Sequence, residues 1–95
     1  MTIKKLTAMP YVQAHIEIDE NNNVHLFSYV TLVATITHDG WVTVNGLYSM
    51  TTRKHISAFM KEYGGGVLDF QDAKSAYEGG YRINKFTGEI EELGD

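Results

Sequence analysis

The chain has 95 residues, 43% hydrophobic and 21% charged, with 8 Lys+Arg against 12 Asp+Glu for a formal charge of −4. Such a length supports one small core, burying about 60–65% of the surface an unfolded chain exposes, and the mild acidity announces neither a polybasic nucleic-acid binder nor an acidic decoy. With no cysteine, disulfides and thiolate zinc sites are excluded, which fits a reducing cytoplasm; no apolar run approaches the ~18–20 residues of a membrane span, and the opening residues lack the apolar core of a signal peptide.

Two-residue alternation dominates the first half. In "YVQAHIEI" Val12, Ala14, Ile16 and Ile18 share one face and Tyr11, Gln13, His15 and Glu17 the other, the pattern of a half-buried strand. The polar "DENNN" reads as a turn. From Val24 to Ile36 every even position except Ser28 is apolar, which reads as one long bent strand, the alternative being two strands kinked near Ser28 and Tyr29. The "HDG" that follows sets a register. A two-residue Asp39-Gly40 loop would mix apolar and polar residues on each face, whereas a three-residue His38-Asp39-Gly40 loop pairs Ile36 with Val42 and Ala34 with Val44, so the longer loop with a left-handed Gly40 is expected.

The second half changes period. Ile56, Phe59, Met60 and Tyr63 fall at i, i+3, i+4 and i+7, an amphipathic helix capped by Ser49 or Thr51 and stopped by the glycines 64–66. "DFQDAKSAYEGG" offers Asp69 as N-cap with Asp72 at N3, a short second helix closed by a double glycine. The tail "YRINKFTGEIEELGD" is compatible with a strand or a hairpin around Thr87-Gly88, or with a frayed acidic end. The expected fold is therefore a single α+β domain over residues 1–95. It has an antiparallel sheet of three or four strands, then two helices packed on one face, then a short C-terminal strand or tail. In its core Leu32, Ala34, Ile36, Val42 and Val44 should meet Ile56, Phe59 and Met60.

One segment breaks a local rule. The helix start in "NGLYSMTTRKH" carries Arg53, Lys54 and His55 where acids suit the dipole. Arg53 borders the buried side, while Lys54 and Lys61 point outward together, an arrangement that would welcome a phosphate or a partner's carboxylate. The alternative is an internal anion, from the acidic tail over residues 89–95 or a nearby Asp. A second candidate surface is the odd face of the sheet, with Phe27, Tyr29, Thr31, Thr35, Thr37, Trp41 and Thr43, either a platform for a partner or bases or a layer covered by the second helix or the tail.

No catalytic constellation appears. Of four histidines, His15 and His25 fall on adjoining strands as diagonal neighbours, but no third ligand follows at a metal-site spacing. The triple glycine follows a helix instead of leading into one and so reads as a cap, not a phosphate cradle; no serine elbow or cysteine supplies a nucleophile. Neither a cofactor nor a metal is expected.

The run "GWVTVNGLYSMTTRKHISAFMKEY", residues 40–63, and the ending "NKFTGEIEEL" resemble a family of small uncharacterised proteins encoded by phages, plasmids and integrated elements of Gram-positive bacteria. In that family the Asn45-Gly46 pair, Tyr48, Ser49, the two threonines and the basic pair recur as a block, and no activity transfers with it. The resemblance implies a protein of the host bacterial cytoplasm that binds a host macromolecule. A defence protein or ribonucleoprotein complex is the expected partner, the chain acting as a defence inhibitor of anti-CRISPR type and not as an enzyme. Expected partner-binding residues are Tyr29, Trp41, Asn45, Tyr48, Arg53, Lys54, His55 and Lys61. The alternative is a small nucleic-acid-binding protein using the basic helix start and the aromatic face. A homodimer is also expected, through an edge strand at residues 11–18 or the aromatic face.

Overall fold

A computed structural model describes residues 1–6 and 13–94; the expected positions of Tyr11 and Val12 lie outside these. In chain order the elements are β1 (Thr2–Lys4), β2 (Ala14–Ile18), β3 (Val24–Ser28), β4 (Thr31–Ile36), β5 (Trp41–Val44), α1 (Met50–Tyr63), α2 (Phe70–Gly79), β6 (Tyr81–Asn84) and β7 (Ile90–Glu92). All seven strands join one antiparallel sheet in the order of the chain. The expected sheet of three or four strands is thus too small, and the helices are inserted between β5 and β6 instead of following the sheet.

The missing strands had weak signatures for a physical reason. β1 and β7 are three residues each and exposed throughout, so they bury nothing that would impose alternation. β6 is held by Val42 opposite Ile83 on the helix side and by Trp41 opposite Asn84, pairings made across the whole helical insertion. Asn84, 5% exposed, ties the closing hairpin together. Its Nδ2 donates to the Asp39 carbonyl at 3.0 Å while its Oδ1 accepts from the Phe86 and Thr87 amides at 2.8 and 3.1 Å. The β6–β7 hairpin turns around Thr87-Gly88, one of the forms the tail was expected to take.

The long bent strand is instead two, of five and six residues, joined by a Tyr29-Val30 turn that pairs Ser28 with Thr31. Tyr29 takes a left-handed φ of 58° there, with its amide donating to the Gln13 carbonyl at 2.7 Å. A bulge follows, because Leu26 faces Ala34 whereas Phe27 faces Leu32, leaving Val33 as the extra residue. Val33 therefore takes the core place expected for Leu32, which is only half-buried. Beyond the bulge the even-numbered residues face inward as expected. Ile36 pairs with Val42 and Ala34 with Val44 across the three-residue loop, and Gly40 has φ 98°.

Leu26, Val33, Ala34, Ile36, Val42 and Val44 form one buried cluster with Ile56, Phe59, Met60 and Leu6. Both helices start where expected. Ser49 caps α1, and Asp69 with Asp72 forms a reciprocal capping box on α2, which ends at a left-handed Gly80.

Candidate functional site

The site begins with the cap of α1. Ser49 is extended, its Oγ accepts from the Thr52 amide at 3.1 Å, and no acid stands in the first turn. The next helical positions turn inward: Thr52 is 4% exposed and His55 is fully buried. What receives them is Ser28, the one polar residue on the inward face of β3. Its Oγ lies 2.8 Å from His55 Nδ1 and 3.4 Å from Thr52 Oγ1. Burial pushes the His55 imidazole below its usual pKa, and its Nε2 has no hydrogen-bond partner among the described residues. His55 is thus a core residue that fastens the β3–β4 hairpin to α1, which corrects its expected place in a binding surface.

That fastening brings apolar side chains together outside the core. The Tyr29 ring lies 6.1 Å from the His55 ring, so the Tyr29-Val30 turn sits at the helix start. On its other flank the 45–48 loop is tied to β4, the Asn45 amide donating to the Val33 carbonyl at 2.8 Å. The exposed Tyr48 ring lies over Gly46, in the space a Cβ there would fill, so a side chain at 46 would displace the ring. The outcome is an exposed group of Tyr29 (54%), Val30 (91%), Tyr48 (65%) and Met50 (70%) around one helix end. Isolated exposed apolar residues are ordinary; four gathered around one element are not.

Two cations stand in the first turns of the same helix. Arg53 is half-buried and Lys54 exposed, and no ion pair reaches either among the described residues. Tyr29 also walls an open cleft of about 470 Å³ shared with Ile3, Lys4, Lys5, Gln13 and His15. The described residues of the acidic tail do not supply Arg53 or Lys54 with an anion, because they form β7 and place Glu91 on Arg82 at 2.6 Å.

Of the expected site residues, Tyr29 reaches the helix start through His55, the Tyr48 hydroxyl donates to the Asn45 carbonyl at 3.5 Å, and Arg53 and Lys54 follow in the first turns of the same helix. Lys61 is exposed at the other end of α1, eight residues from Arg53 or about 12 Å along the axis. Trp41 lies at the opposite end of the β4–β5 pair from Tyr29, half-buried under the Arg82 guanidinium at 4.3 Å. Val30 and Met50 were not expected; the first fell among the apolar even positions of the alternation, the second carried no signal beyond its place at the helix start.

The outer sheet face is satisfied within itself. His15 stacks on Phe27 at 4.9 Å and meets Glu17 at 2.8 Å. His25 bridges Thr35 and Asp19, each at 3.0 Å, and the hydrogen bond from His25 is the main cause holding Asp19 well below the usual carboxylate range. His15 and His25 are diagonal neighbours as expected, yet no group of three or more ligating side chains gathers among the described residues. No helix among them is long and apolar enough to cross a membrane.

Fold and site together define a small α+β domain whose seven-stranded antiparallel meander carries both helices on one face. It presents exposed apolar residues at a helix start that carries two cations. The chain belongs to a family of unknown function (DUF8033), whose model matches residues 2–88, well beyond the 40–63 run that carried the resemblance. No curated protein and no solved structure matches.

Proposed function

We propose that this chain works by binding, with no chemistry of its own, and that its contact surface is the Tyr29, Val30, Tyr48 and Met50 cluster with Arg53 and Lys54 at the rim. The observation that carries the reading is the gathering of four exposed apolar residues around a helix start whose cations meet no ion-pair partner among the described residues. Aromatic and thioether anchors ringed by arginine and lysine suit a protein surface with acidic edges. The target is a host macromolecule, a defence protein or ribonucleoprotein complex. The chain is then an accessory protein of a phage or other mobile element in Gram-positive bacteria that inhibits defence in the manner of an anti-CRISPR protein.

The experiment is plating of phage on a host with active CRISPR immunity that expresses the chain. Wild type is expected to restore plating. The Arg53→Glu, Lys54→Glu variant should lose that effect while melting at the same or a higher temperature, because acids suit the first helical turn and yet reverse the charge offered to the partner. Full restoration by the variant would reduce "TTRKH" to a cap, and absence of restoration by wild type would remove the inhibitor reading.

The nucleic-acid alternative has less behind it: Glu17, Asp19 and Glu91 share or border the aromatic sheet face, and acids there repel a polyanion. Affinity for single-stranded DNA falling steeply with salt would restore it.

A further inference from the structure

The strand taken for an edge, residues 11–18, holds β2 (Ala14–Ile18), which is paired on both sides; among the described residues the edges of the sheet are β1 and β7. They carry opposite charge. β1 leads into Lys4 and Lys5, and β7 presents Glu91 and Glu92. Both are exposed along their whole length, and unpaired backbone at a sheet edge seeks a further strand.

The faces add a register. Ile3 lies opposite Glu17 and so on the outer face, Lys4 opposite Ile16 and so on the helix side. On the other edge Glu91 faces Arg82 on the outer face, and Glu92 faces Tyr81 on the helix side. One antiparallel alignment sets Lys4 opposite Glu92, Lys5 opposite Glu91 and Ile3 opposite Leu93. It keeps each residue on its own face, matches every charge with its opposite, and brings together two apolar side chains that are 67% and 43% exposed. A slip by one residue would set Lys4 against Glu91, which lies on the other face.

We infer that the partner for each edge is a second copy of this chain, the β1 of one copy adding to the β7 of the next so that the sheet runs on between molecules. The contact is heterologous and so propagates as a chain of copies unless it closes into a ring. Strands this short bury far less than the roughly 1,200–2,000 Å² of a stable interface, so the association is weak and strengthens with concentration and low salt.

Because the chain has no cysteine, cross-linking has a clean background. Under mild oxidation an Ile3→Cys, Leu93→Cys variant is expected to give a ladder of dimers, trimers and larger species, since directly opposed residues fall within disulfide reach. Either single variant should give at most dimers. Adding Lys4→Glu should suppress the ladder, and adding Glu92→Lys to that should bring it back. Both cysteine sites are exposed, and thermal melts confirm that each variant is folded. A ladder that is absent, indifferent to Lys4→Glu, or unrestored by the second charge change would overturn the inference.

Discussion

Phe59→Ala should cost about 3–5 kcal/mol and leave much of the population unfolded. Phe59 is fully buried on α1, in the cluster that joins the sheet to both helices, with the Tyr63 ring 5.4 Å away. Removing the ring takes away its transfer free energy and opens a cavity walled by strand residues that hydrogen bonding holds in place, so the site cannot collapse. A domain of this size has only about 5–15 kcal/mol in total. Urea titration of the variant checks it: a midpoint close to that of wild type would mean that α1 does not pack on the sheet through Phe59.

His55→Ala should cost about 2–4 kcal/mol, combining a smaller cavity with a Ser28 hydroxyl left with Thr52 at 3.4 Å as its remaining partner. The pH dependence has a defined sign. Burial depresses the His55 pKa in the folded state, so the unfolded chain binds that proton more tightly. The contribution is complete above the ordinary histidine value of about 6.5 and is lost as pH falls from there through the folded pKa. Asp19 and Asp39 also have depressed values, caused mainly by the hydrogen bonds from His25 and Thr37, and their contributions fade only below the ordinary carboxylate value of 3.8. Stability should therefore decline in two stages on acidification, and His55→Ala should remove the upper one. An upper stage that survives the substitution would assign it to another histidine.

Legibility followed burial. The Ile36–Val42 register and the reciprocal Asp69–Asp72 cap could be read because a shift by one residue would have reversed a buried face or broken a local bond pair. Strand β1 could not, and β6 and β7 only as one of several forms of the tail, since their pairing is decided across the sheet and not by their own sequence. The site was half legible. The mismatch of charge and dipole pointed to the helix start, beside which the exposed apolar residues lie, but it took in His55 with Arg53 and Lys54 because the three look alike in sequence. Only Ser28, the polar interruption in an apolar alternation, hinted that something polar waited across the core. Val30 went the other way: it fell among the apolar even positions of the alternation, and the left-handed Tyr29 turned it out.

The central claim is that the apolar cluster at the start of α1 is the contact surface. Its most direct test is retention of a host partner by the immobilised protein, comparing wild type with a Tyr29→Ser, Val30→Ser, Met50→Ser variant whose changes are all at exposed positions. The account predicts that wild type retains a defined host protein or complex, and that the variant, folded and melting within a few degrees of wild type, loses it. Equal retention by both would contradict it and move the interface elsewhere, to Trp41 and its strand neighbours.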